Sequence, residues 1–177
     1  MFQYDYVTPL YPIREAAAAA GFELNTLRSL YRRGHFRIIG GEEAKAKGLG
    51  HALNLRDIMH VAVAKQLMDA GVHPKDAYEA GVIFAHTGKG QSGWVAEPGT
   101  GPVRNPAGMF DKGFTVLVYF PATGSNRIVP MKDSLDFSTL FIDPTSGARI
   151  NPILVFLNDV ERAVFTALNV RGKRIDE

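Results

Sequence analysis

The chain has 177 residues, 46% of them hydrophobic, with 20 lysines and arginines against 18 acids and a formal net charge of +2. A chain of this size buries a core, and its near-neutral charge says nothing about a polyanionic partner, so any nucleic-acid signal has to be local. Cysteine is absent, which excludes a disulfide framework, a thiolate metal site, an iron–sulfur cluster and a cysteine nucleophile.

The opening residues, Met1 to Tyr6, lack a basic stretch running into an apolar segment, and no later stretch has about 18 unbroken apolar residues. The expectation is a soluble cytoplasmic protein without a membrane partner, its first ten residues forming an N-terminal arm. Pro12 to Gly21 then predicts a short helix, with proline at its first turn and glycine at its end. A second helix is predicted over Leu24 to Arg33, with Leu24, Leu27, Leu30 and Tyr31 at helical spacing and Gly34 closing it. Two short apolar pieces, Phe36 to Ile39 and Ala52 to Leu55, flank a Gly- and Lys-bearing loop and predict a hairpin wing. Asn54, three residues before Asp57, caps a third helix whose apolar face is Leu55, Ile58, Met59, Ala62, Val63 and Leu67. Ala70-Gly71 stops it, and Val72-His73-Pro74 opens a fourth.

Residues 87–113 turn to glycine, proline and small polar residues, the composition of a linker or loop. Strands are expected at Phe114 to Tyr119, Arg127 to Pro130 and Thr139 to Ile142, with Asp143-Pro144-Thr145-Ser146-Gly147 as a hairpin turn. Asn151-Pro152 is expected to cap a last amphipathic helix with Ile153, Phe156, Leu157, Val160, Val164 and Leu168 on one face. The fold class is therefore α+β: a winged helix-turn-helix over residues 11–86, the linker, and a small α+β dimerisation or sensory region over 114–177.

Between Leu24 and Arg56 lie Arg28, Arg32, Arg33, Arg37, Lys45, Lys47 and Arg56 against only Glu42 and Glu43. This local basic stripe on a helix-turn-helix is the pattern that neutralises phosphates, while short polar side chains on the second helix reach base edges. Arg28, Tyr31 and Arg32 are candidates for holding the DNA backbone, and Asn25 and Ser29 for reading bases. Thr26 is a further candidate, with a local backbone hydrogen bond as its alternative role.

Ala18-Ala19-Ala20-Gly21, Asn25-Thr26-Leu27-Arg28 and the Gly34 after Tyr31-Arg32-Arg33 resemble the A-x-x-x-G-x-x-x-x-T-L-R core of MerR-family regulators. Leu55-Arg56-Asp57-Ile58 and Leu67-Met68-Asp69-Ala70-Gly71 fall where that family has its third helix and its ending, so the resemblance covers about residues 11 to 82. It implies a DNA-binding transcriptional regulator acting on double-stranded DNA. The nearest counterpart of the family's wing motif is Gly50-His51-Ala52, with a longer loop containing Lys45 and Lys47; His51, Lys45 and Lys47 join the candidate DNA contacts, together with Arg33 and Arg37 of the basic stripe. A homodimer is expected, with RNA polymerase or another DNA-bound protein as a further partner. No long heptad run follows Gly81, which leaves the last helix as the expected interface. Alternatives are an architectural or excision-type DNA-binding module and a protein–protein adaptor.

His35, His51, His60, His73 and His86 are scattered and predict no metal site. Thr87-Gly88-Lys89-Gly90-Gln91-Ser92 lacks phosphate-loop spacing, and no nucleophile elbow or paired carboxylates occur, so neither a cofactor nor an enzymatic activity is expected. Trp94, Phe110, Phe114 and Tyr119 read as core residues rather than a ligand pocket.

Overall fold

The computed structural model describes residues 2–41, 51–87, 104–131, 137–170 and 173–174. Lys45, Lys47 and most of the expected wing loop lie outside the described residues, as does Trp94 with the greater part of the expected linker. The described residues form an α+β fold of five helices and small antiparallel sheets. No helix among them is long and apolar enough to cross a membrane.

Strand β1 (Phe2–Gln3) pairs with β7 (Lys173–Arg174), and β2 (Tyr11–Pro12) leads into α1 (Ile13–Ala19). Helix α1 buries Ile13 together with Ala16, Ala17 and Ala19, alanines whose small side chains let its backbone come close to its neighbours. It ends where Gly21 adopts φ +76°, so that the Gly21 N–H reaches the Ala18 carbonyl and the Phe22 N–H the Ala17 carbonyl. A side chain beyond glycine would be strained there, and the two bonds satisfy carbonyls that the helix leaves open. Helices α2 (Leu24–Arg32) and α3 (Leu55–Asp69) finish on the same hydrogen-bond pattern at Gly34 and Gly71.

Helix α3 is the centre of the molecule. The Asn54 side chain accepts the Asp57 N–H at 2.9 Å, the cap expected from the sequence. The six residues of its expected apolar face are buried, and so are Asp57, His60, Val61 and Ala64, because α1, α4 (Pro74–His86) and α5 (Leu157–Leu168) surround it. A helix covered on nearly every side is a core helix. Gly81 of α4 lies against it so closely that a Cβ there would come within 2.6 Å of the His60 ring and carbonyl oxygen.

Arg104 closes the far end of α4. Only 3% exposed, it donates to the carbonyls of Phe84 (2.8 Å), Thr87 (2.9 Å), Ile83 (3.1 Å) and Asn105 (3.2 Å). Three of these carbonyls belong to the end of α4, where backbone acceptors lack helical donors and the helix dipole favours a cation. Burial lowers its pKa to about 10, which leaves it charged at neutral pH.

The C-terminal part contains β4 (Phe114–Phe120), β5 (Ser125–Met131) and β6 (Ile153–Phe156) in the order β5-β4-β6. Leu117, Tyr119, Ile128 and Val155 face the helices and join one continuous core that also includes α1, α2, α3, α4 and α5. That core bridges the expected boundary between 11–86 and 114–177. On the opposite face Val116, Val118, Phe120 and Val129 pack with Leu140, while Phe114, Leu154 and Phe156 remain exposed.

Five expectations need correction. The hairpin over Phe36 to Leu55 is not formed among the described residues: Phe36 to Ile39 is not a strand, and β3 (Ala52–Leu53) pairs with Tyr11–Pro12 ahead of α1. Thr139 to Ile142 is not a strand of the sheet: the 3-10 turn Phe137–Phe141 precedes one isolated bridge, Ile142 to Arg149, around the Asp143 turn. Asp143 holds that turn by accepting from the N–H groups of Thr145 (2.6 Å) and Ser146 (3.2 Å). The last helix begins at Leu157, since Ile153 to Phe156 pairs with Tyr119 to Val116 and a sheet partner outweighs a four-residue helical spacing. The apolar face of α5 is spent inside the chain on α1, α3 and β4, so it is not a free dimer interface. Phe114, expected in the core, is 56% exposed at the sheet edge, whereas Phe110 and Tyr119 are buried as expected.

Tyr4 and Tyr6 of the N-terminal segment are docked rather than free. Tyr4 and Tyr6 pack their rings on Phe165 of α5, the Tyr6 hydroxyl donates to Glu161 at 3.1 Å, and the Arg56 N–H donates to the Tyr6 carbonyl. Burial, reinforced by the Glu161 carboxylate, raises the Tyr6 pKa.

Candidate nucleic-acid interface

Helix α2 divides sharply into two faces. Leu27 and Leu30 are 0% and 7% exposed and lie in the core, with Leu24 packed beside them. Asn25, Thr26, Arg28, Arg32 and Arg33 are exposed, and Ser29 is half-buried at the border. Asn25, Arg28, Ser29 and Arg32 follow one another at three- and four-residue spacing, which puts them on one outward face. Arg37 is exposed beyond the helix end. Among the described residues Arg28, Arg32, Arg33 and Arg37 have no carboxylate partner. Residues 24–41 and 51–56 contain five arginines and no acid. Exposed arginines without a carboxylate partner among the described residues cost the fold little in water and can offer their donors to an anion.

Two candidates behave differently from the expectation. Tyr31 turns inward: its ring meets Phe36 edge-on at 6.0 Å between centroids, and its hydroxyl is buried with no hydrogen-bond partner among the described residues. Burial raises its pKa, with Asp57 adding in the same direction. As placed, Tyr31 supports the end of α2 and does not present its hydroxyl to an outside phosphate. The reason is that Tyr31 follows the buried Leu27 by one helical turn, which carries it toward the core side. His51 is half-buried; its ring lies 6.4 Å from that of Tyr31, and its backbone carbonyl receives the Ile13 N–H at 3.0 Å. It therefore ties the chain beyond the loop to the start of α1.

A second polar group, missed in the sequence, lies on the other side of the core. Asp57 and His60 are each 1% exposed, and the side chain of His86 is 14% exposed. Asp57 accepts the N–H groups of Ile39 (3.3 Å) and Gly40 (3.2 Å) on one oxygen, and the same oxygen is 3.7 Å from His86 Nε2. The His60 Nε2–H donates to the Tyr78 carbonyl at 3.0 Å. Burial lowers the His60 pKa to about 3, helped by the neighbouring His86, and burial also lowers that of His86. The one local signal was that Asp57 and His60 are a helical turn apart; His86 joins them only through the packing of α4 on α3.

No protein-family model matches the chain, and no curated protein matches it significantly in sequence.

Proposed function

We propose that this protein is a sequence-specific DNA-binding transcriptional regulator that inserts α2 into the major groove in the manner of a MerR-like winged helix-turn-helix. The observation that carries the reading is the outward face of α2, where Asn25 and Arg28 are exposed and the arginines have no acidic partner among the described residues. The turn at Gly21 sets α2 against α1, the relation a recognition helix has to its supporting helix. In this reading Arg28, Arg32, Arg33 and Arg37 take phosphates, and Asn25, with Thr26 and Ser29 beside it, reads base edges. In this reading Lys45 and Lys47, between Gly41 and His51 in the sequence, are the cations of the wing. The protein works in the cytoplasm as a homodimer, because one short recognition helix discriminates weakly and two half-sites a helical turn apart restore specificity.

Selection of bound sequences from a random pool of double-stranded DNA tests the proposal. Recovery of an inverted repeat supports a dimeric regulator. Direct repeats would point to an architectural array, and a pool with no enrichment would reject sequence-specific DNA binding. Sedimentation with and without the selected site checks the dimer, which a monomer in both states would exclude.

A further inference from the structure

Asp57, His60 and His86 form a compact set of donors. Asp57 and His60 are on successive turns of α3, and His86 is the last residue of α4. One nitrogen from each ring and one carboxylate oxygen all lie within 4.8 Å of one another. Two polar atoms of these side chains, Asp57 Oδ2 and His86 Nε2, are buried and have no hydrogen-bond partner among the described residues. The 3.7 Å between Asp57 Oδ1 and His86 Nε2 is too long for a hydrogen bond. A buried carboxylate oxygen without a donor is costly, and among the described residues no lysine or arginine pairs with Asp57. A cation at the centre of the set would satisfy the carboxylate and the imidazole together.

We propose that Asp57, His60 and His86 bind a divalent first-row transition metal ion, with zinc as the best match. Two imidazole nitrogens and one carboxylate oxygen are the donors of zinc sites with three protein ligands and an open fourth position, whereas calcium and magnesium prefer oxygen donors alone. Zinc bonds of about 2.0–2.1 Å place tetrahedral ligands roughly 3.3 Å apart, so the three side chains close on the ion by small rotations. Their supports are already in place. His60 gives its Nε2–H to the Tyr78 carbonyl, which keeps the lone pair on Nδ1 and fixes the ring. The Ile39 and Gly40 N–H groups hold the Asp57 carboxylate from the other side. A bound ion would thus tie α3, the end of α4 and the chain leaving α2 at a single point. The inference does not depend on DNA binding.

The test uses the full chain stripped of metal with a chelator and titrated with zinc chloride by calorimetry, alongside thermal unfolding with and without zinc. One zinc per chain and a raised Tm are expected. His86→Gln, at the end of α4, should weaken binding by about 100-fold or more, a larger loss than removal of a supporting residue brings. His35→Gln is the control, because the His35 and His73 rings, 5.7 Å apart, are the histidine pair that would otherwise compete for the ion. Absence of binding by the unaltered protein overturns the inference, and so does unchanged affinity in His86→Gln or a loss seen in His35→Gln instead. X-ray absorption of the zinc-loaded unaltered protein decides the matter without any variant: two imidazole ligands are expected, and fewer than two contradict the site.

Discussion

The arginines of α2 and the arginine behind α4 have the same side chain in opposite circumstances. Arg28, Arg32 and Arg33 are exposed and without acidic partners among the described residues, while Arg104 is enclosed and gives its donors to four carbonyls. The contrast extends to the polar groups around them. Those on the outward face of α2 are exposed, whereas Arg104 is built into the fold. A charged group that the fold does not use, repeated at helical spacing on one face, is available to a partner, whereas one that is buried and bonded is accounted for by stability. The difference separates residues to be tested by binding from residues to be tested by unfolding.

The sharpest way to break this division is Arg104→Met. Three carbonyls at the end of α4 lose their donor, and a loss of about 3 kcal/mol or more is expected in urea unfolding at neutral pH. A loss below about 1 kcal/mol would mean that Arg104 is no more structural than the arginines of α2.

On the α2 side, Asn25→Ala should leave unfolding unchanged and cost about 1–3 kcal/mol on the preferred DNA site, with relaxed preference at one base position. If base preference stays the same, Asn25 is not a reading residue.

The histidines supply a pH test of comparable size. His60 has a folded-state pKa of about 3, below its ordinary value of 6.5, so the folded protein binds fewer protons than the unfolded chain. Its contribution to stability is complete above about pH 6.5 and is lost as the pH falls toward 3, at up to about 1.4 kcal/mol per pH unit. Metal-free protein should therefore lose about 2 kcal/mol between pH 6.5 and pH 5, read from urea midpoints in the presence of chelator. A flat profile over that range would show that His60 is not held neutral by burial.

Gly81→Ala tests the contact between α3 and α4. Alanine would favour the helix by about 1 kcal/mol, but crowding against the His60 ring and carbonyl should cost about 1–3 kcal/mol and leave the protein less stable. A stabilised variant would show that the two helices can move apart freely.

Arg28→Ala is the smallest expected change in stability, within about 0.5 kcal/mol. Its effect should be on DNA: weaker binding to all sequences alike and a salt-dependence slope lower by about 1. An unaltered salt slope would remove Arg28 from the phosphate contacts.

Much of the N-terminal half was legible because its signals are local. The glycines after α1, α2 and α3, the Asn54 cap and the buried Leu27 and Leu30 all act within one or two helical turns. The outward arginine face of α2 follows from the same spacing. Strand partners were less legible, since a short apolar stretch carries its propensity but not the address of its neighbour. Ala52–Leu53 found Tyr11–Pro12 rather than Phe36 to Ile39, and Ile153 to Phe156 became a strand only because β4 presented an open edge.

The amino-acid sequence by itself determined the α+β character, the helix ends and the concentration of arginine on α2, each of which rests on residues a few positions apart. Tertiary structure decided that Tyr31 faces inward, that Tyr4 and Tyr6 dock on α5, and that Asp57 and His60 meet His86. The physical reason is range: a cap is satisfied by the next turn of its own helix, whereas a buried polar cluster exists only after separate helices have paid the chain entropy of coming together.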